Sequence, residues 1–332
     1  MSSSLAQVGN VEAAATGYVH VRQPAKKQRL SRFALLAALP FALFMGVFGV
    51  LPLFHLLRMS LSDVSVQQGN FTWSFTGLEN YLYIGNDPTA MQSVVASTIF
   101  VLGAVPLTII FGVGLAVLVD RAVLLTGIAR NMVLWPAVVT PVAISLMWLL
   151  ILSPSIGALN KVLRTIGIPE QGWLGEAAGA MASVILVDVW HWTPLVFLLA
   201  YTAIRGIDTE IMEAAEVDGA SYWQRFSRVM LPMIWPAIAA ATIIRLLMSV
   251  KAFDEMFLLT HGGPGTSTTL VSLHIRNVFF DRLELGYGAA FSVSVVLLIV
   301  IIAGIAAGIR SLMSRRNAIR LGANFQTQGY MK

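Results

Sequence analysis

The chain has 332 residues, of which 57% are hydrophobic and 12% charged, with a formal net charge of +5. A soluble domain carries about 25% charged residues, so most of this chain is built for a medium that does not reward charge. The lack of cysteine excludes disulfides, cysteine–zinc sites and thiol catalysis.

Residues 1–30 read as a flexible tail, with a basic anchor running from Lys26 to Arg32. The polar lead and the apolar run after it are both too long for a cleaved signal peptide. Six apolar stretches follow, at about 33–57, 94–119, 132–152, 180–204, 236–258 and 287–309. Each supplies the roughly 20 residues that a helix needs to cross a bilayer. Backbone groups in lipid must be satisfied within their own segment, so the fold class is an all-α polytopic membrane protein with six transmembrane helices. The membrane domain covers 31–312, and 313–332 form a second tail.

An even number of spans puts both termini on one side. Of the 22 Lys and Arg residues, 15 lie in the tails and the even-numbered connections. Five lie on the other side (Arg58, Lys161, Arg164, Arg276 and Arg282), and Arg245 and Lys251 fall within the fifth span. The positive-inside rule therefore predicts cytoplasmic termini and a cytoplasmic 205–235 connection.

Asp63, Glu79 and Asp87 in the first external connection read as solvated. The third span carries Pro136 and Pro141, each of which removes a backbone donor. They read either as packing geometry or as a break beside a pathway. Span four contains Asp188, Trp190, His191 and Trp192; span five contains Arg245, Lys251, Asp254 and Glu255. Charges inside a bilayer face a cavity or one another, and Lys251 lies at helical spacing from both Asp254 and Glu255. Two readings stand: self-neutralising pairs that steady the bundle, or a polar wall for a hydroxylated ligand. The pathway candidates are Lys251, Asp254, Glu255, Asp188, Trp190 and His191. The tryptophans also suit interfacial anchoring.

Between spans four and five, residues 213–236 read EAAEVDGASYWQRFSRVMLPMIWP. Asp208 or Thr209 is placed to cap a first short helix, whose apolar face is Ile211, Met212 and Ala215, with Ala214 at its edge. Gly219 suits a helix end. Ser221 and Gln224 match a capping box for a second helix, which Pro232 is expected to stop. The carboxylates Glu210, Glu213, Glu216 and Asp218 would repel nucleic-acid phosphates. The segment reads either as an interfacial linker or as a docking knob for a cytoplasmic partner.

Glu213-Ala214-Ala215, Asp218-Gly219-Ala220, Phe226, Leu231-Pro232 and Pro236 resemble the EAA loop of the permeases of binding-protein-dependent ABC importers. The stretch Thr260-His261-Gly262-Gly263-Pro264 is similar to the carbohydrate branch of that family, whose substrates include maltose, polyols and glycerol 3-phosphate. The short connection between spans three and four departs from the best-known maltose permease, which carries a large inserted domain there. The resemblance implies a MetI-like transmembrane domain with a coupling hairpin over 207–236. It implies that Glu213, Ala214, Ala215, Asp218, Gly219 and Ala220 dock on an ATPase. The implied partners are a second six-helix permease, two copies of an ABC ATPase subunit, a periplasmic or extracellular substrate-binding protein, a sugar-type substrate and membrane lipid, with no nucleic acid. The implied location is a bacterial inner membrane.

No G-x-x-x-x-G-K-[ST], H-E-x-x-H or G-x-S-x-G occurs, and the five histidines lack ligand spacing. No cofactor is therefore expected on this chain; ATP and Mg belong to the implied ATPase subunits. An ion-coupled secondary transporter is the alternative reading. It accounts for the charges of span five and leaves the hairpin unexplained.

Overall fold

The structure, a computed structural model, describes residues 32–67, 70–121, 126–305 and 308. Both expected tails, 1–30 and 313–332, lie outside the described residues. The described residues up to Phe54 and those from His55 onward form two separate compact units. α1 (Arg32–Met45) leads through a π-helical turn (Gly46–Val50) into α2 (Leu51–Ser60), in which the first unit ends, and the apolar helix Leu36–Ser60 is long enough to cross a membrane.

After α2 the chain forms an element that the sequence did not suggest. β1 (Ser62–Gln67) and β2 (Asn70–Phe75) pair antiparallel, with Val64 opposite Trp73. Alternation of Val64 and Val66, then Phe71, Trp73 and Phe75, carries the strand signal. α3 (Glu79–Ile84) follows, and its Asn80 donates to the carbonyls of Ser60 and Ser62 at 3.1 and 3.0 Å.

α4 (Pro88–Arg121) and α8 (Ala177–Arg205) form the centre of the bundle. Gly112 permits their approach: a Cβ there would lie 2.6 Å from Val196 Cβ and 3.0 Å from the Phe197 nitrogen. Small residues at such contacts let helices pack without a hydrophobic drive from the lipid. One core cluster gathers Phe100, Val184, Val187, Met256 and Leu273; a second gathers Ala116, Phe197, Ile204, Met230 and Ile234.

The third span is not one straight helix. α5 (Thr126–Leu134) ends in a 3₁₀ turn (Trp135–Val138), and α6 (Pro141–Ile151) restarts after a bend of 100°. Pro136 and Pro141 flank the break, and Thr140 caps the new helix by accepting from the Ala143 amide. The connection to α8 holds a short helix, α7 (Ala158–Thr165). Buried Asn160 fastens it, donating to the Pro154 and Gln171 carbonyls and accepting from the Gln171 amide and the Trp173 indole.

α9 (Thr209–Val217) and α10 (Tyr222–Arg225) form the hairpin. A π-helical turn (Phe226–Met230) then runs without interruption into α11 (Leu231–Val250). Pro232 therefore does not stop the second arm, and the fifth span runs Tyr222–Val250 instead of 236–258. The wider turn offsets the missing proline N–H; the same device precedes Pro52. α12 (Asp254–Leu259), α13 (Val271–Arg276) and a last π-helical turn (Asn277–Asp281) lead to α14 (Leu285–Ile305). Among the described residues, five helices are long and apolar enough to span a membrane, and the bent pair makes a sixth.

Candidate functional site

The hairpin is closed by local chemistry. Asp218 caps the end of α9 with its backbone, and Gly219 takes φ +79°, where a side chain is strained. Ser221 and Gln224 complete the capping box: the Ser221 amide donates to Gln224 Oε1 at 2.7 Å, and the Gln224 amide donates to Ser221 Oγ at 3.4 Å. Asp208 occupies the first cap but makes no side-chain bond there. Arg225 pairs with Glu216 across the two arms.

Met212 and Phe226 pack against the second core cluster, whereas Ile211, expected on the same face, is exposed. Glu213, Ala214, Asp218 and Gly219 are exposed, with Ala215 and Ala220 half-buried. Val217 and Trp223 stand beside them, 87% and 68% exposed. Ala215, Asp218, Gly219, Ala220, Gln224 and Arg228 line a concavity of about 410 Å³. The result is a rigid knob with acidic and apolar groups facing outward.

The bundle interior holds a second polar site. Asp188 of α8 and Arg245 of α11 form an ion pair in which both side chains are fully buried. His191 Nδ1 lies 3.1 Å from Glu255 Oε1, again with both side chains buried. Trp192 joins the pairs, stacked on His191 at 4.5 Å and lying under the Arg245 guanidinium at 5.9 Å. These contacts interlock α8 with α11 and α12.

The pathway candidates therefore separate. Asp188, His191 and Glu255 belong to the interlock. Lys251 and Asp254 are exposed at the break between α11 and α12. The expected pairing of Lys251 with Asp254 or Glu255 is not made, because the helix ends at Val250 and the i, i+3 geometry is lost; Lys251 forms no ion pair among the described residues. Trp190 packs edge-on against Trp148 at 5.7 Å and lines an apolar cavity of about 740 Å³ bounded by α4, α8 and the broken span. Sequence reasoning named both Asp188 and Arg245 without joining them, since 57 residues separate them.

Asp87 also departs from expectation. It is 7% exposed and accepts from the Thr89 amide and hydroxyl at 2.8 and 2.7 Å and from the Tyr287 hydroxyl at 2.7 Å. His274 Nε2 and Arg282 Nη1 lie 3.8 Å away. Burial alone would raise this carboxyl, but the hydrogen bonds outweigh it and hold the pKa down at about 2. Burial pushes the His274 imidazole below its ordinary value, against the pull of Asp87.

Comparison with known proteins adds a family. The model of the binding-protein-dependent transport system inner membrane component matches residues 104–315. The chain is 31% identical to the trehalose/maltose transport system permease protein MalF of Thermococcus litoralis, over 80% of this chain and 90% of that one. It is 30% identical to the lactose transport system permease protein LacF of Rhizobium radiobacter, over 77% of this chain and 88% of that one. A crystal structure of a bacterial alginate ABC transporter, in complex with an alginate pentasaccharide-bound periplasmic protein, shares the fold. The match has a TM-score of 0.72 and 21% identity, over 83% of this chain and 94% of that one.

Proposed function

The chain belongs to the binding-protein-dependent transport permease family, and on that premise we propose that it is a membrane-spanning subunit of an ATP-driven importer for a sugar or sugar derivative. The observation that carries the reading is the capped hairpin, which presents Glu213 and Asp218 beside exposed Val217 and Trp223. A partner surface with basic groups and an apolar slot would suit that knob, and buried Trp side chains are frequent anchors of binding energy. In this reading the knob sits in a groove of an ATPase subunit. ATP binding closes two such subunits, draws two hairpins together and opens the spans toward a loaded binding protein. Hydrolysis resets them.

The sugar assignment rests on the relatives named above, which include trehalose, maltose and lactose permeases. The excess of basic residues around the hairpin and the tails supports cytoplasmic termini in a bacterial inner membrane. A second permease chain would complete the pathway, with ATP and Mg held by the ATPase subunits.

Proteoliposomes holding the purified assembly test this. ATP inside the vesicles should drive uptake of a sugar delivered by its binding protein. Uptake that follows an ion gradient and ignores ATP would overturn the proposal in favour of a secondary transporter.

A further inference from the structure

α8 and α11 are joined to the hairpin through the chain itself, so a push on the hairpin reaches both along the backbone. α4 is not. Near its end three side-chain contacts gather, reaching the hairpin and the end of α8. The Arg121 guanidinium, on the last residue of α4, lies over the ring of Tyr222, 2.9 Å from its centroid. Tyr222 is the first residue of the second arm, and the capping box fixes its backbone. Asp120 pairs with Arg205, at the end of α8, at 3.5 Å. Beneath them Ala116 and Val119 of α4 share a core with Ile204, Met212, Phe226 and Met230.

We propose that Arg121 is a positioning residue for transport: its cation–π contact with Tyr222 carries hairpin movement to α4. The proposal rests on the coupling role of the hairpin given above. The physics suits the task. A guanidinium on an aromatic face keeps contact while the ring slides beneath it, whereas a directional hydrogen bond would break. The Tyr222 hydroxyl is buried without a hydrogen-bond partner, so the ring is the working part of the side chain.

The test uses the full assembly in liposomes, with transport and ATP hydrolysis measured on the same preparation. Arg121→Ala should keep the ATPase subunits bound while transport per ATP falls by about two- to fivefold, the range set by an exposed cation–π contact. Tyr222→Phe keeps the ring and should keep that ratio, whereas Tyr222→Leu should lower it as far as Arg121→Ala does. The double variant Arg121→Ala/Tyr222→Leu should be no worse than either single one. An unchanged ratio in Arg121→Ala, a Tyr222→Phe as poor as Tyr222→Leu, or effects that multiply in the double variant would each overturn the contact's role. Glu213→Lys separates this from the coupling reading: normal ATPase binding and normal uptake in that variant would remove the coupling role itself.

Discussion

Arg245→Met should be among the most damaging single substitutions in the bundle. It leaves the Asp188 carboxylate without its counter-charge at a place where both side chains are 0% exposed. Breaking a buried pair on one side costs about 3–5 kcal/mol, roughly two to three and a half orders of magnitude in the folding equilibrium. Asp188→Leu should cost a similar amount, because Arg245 Nε and Nη1 already lack partners and the remaining bond would go too. The double variant Asp188→Leu/Arg245→Met removes both charges together with those unpaired atoms. It is expected to be neutral, or more stable than the native pair by about 1–4 kcal/mol. Denaturant titration in detergent micelles, followed by tryptophan fluorescence, gives the coupling energy of the cycle. A loss within about 0.5 kcal/mol for Arg245→Met would refute the reasoning, because it would mean that water reaches the pair in the folded state. Uptake measured alongside decides the role: a double variant that transports normally makes the pair a brace, and one that folds but does not transport makes it part of the path.

Gly219→Val is strained at φ +79°, although a Cβ there meets nothing within 4 Å, so about 1–2 kcal/mol should fall on the hairpin alone; loss of ATPase co-purification without loss of the folded spans checks it. Gly112→Ala pushes on backbone and Val196 alike and should destabilise the bundle by about 1–3 kcal/mol, read by the same titration. Asp87, held at about 2 against an ordinary 3.8, contributes stability that is full above about 4 and lost as pH falls toward 2. Asp87→Asn should cost about 2 kcal/mol near neutral pH and remove that acid step from the unfolding profile. His274 is held below its ordinary 6.5, so its contribution is full above that value and declines as pH falls beneath it; in the Asp87→Asn variant, an acid profile that stays flat as pH falls below 6.5 would contradict this.

What the sequence made legible is what local chemistry decides. Gly219 and the Ser221–Gln224 box depend on neighbours a few residues away and were visible from residue type and spacing, whereas Pro136 and Pro141 left packing geometry and a break both open, and the structure has the break. The number of spans followed from the apolar runs, although the fifth runs Tyr222–Val250 and not 236–258. What stayed hidden depends on distant partners. Asp188 meets Arg245, and Asp87 meets Tyr287, only after the bundle has formed. Pro232 misled because a π-helical turn absorbs it, and such a turn leaves no simple mark in residue type. The pairing expected of Lys251 assumed a helix that in fact ends one residue earlier.

The most direct test of the central claim is a mild-detergent pull-down of the tagged chain from its native membrane, with mass spectrometry of whatever accompanies it. The account predicts an ATPase with a nucleotide-binding G-x-x-x-x-G-K-[ST] loop and a second six-span permease, with the ATPase lost from the Glu213→Lys variant. A chain that comes down alone, and still moves solute into liposomes without ATP, would contradict it.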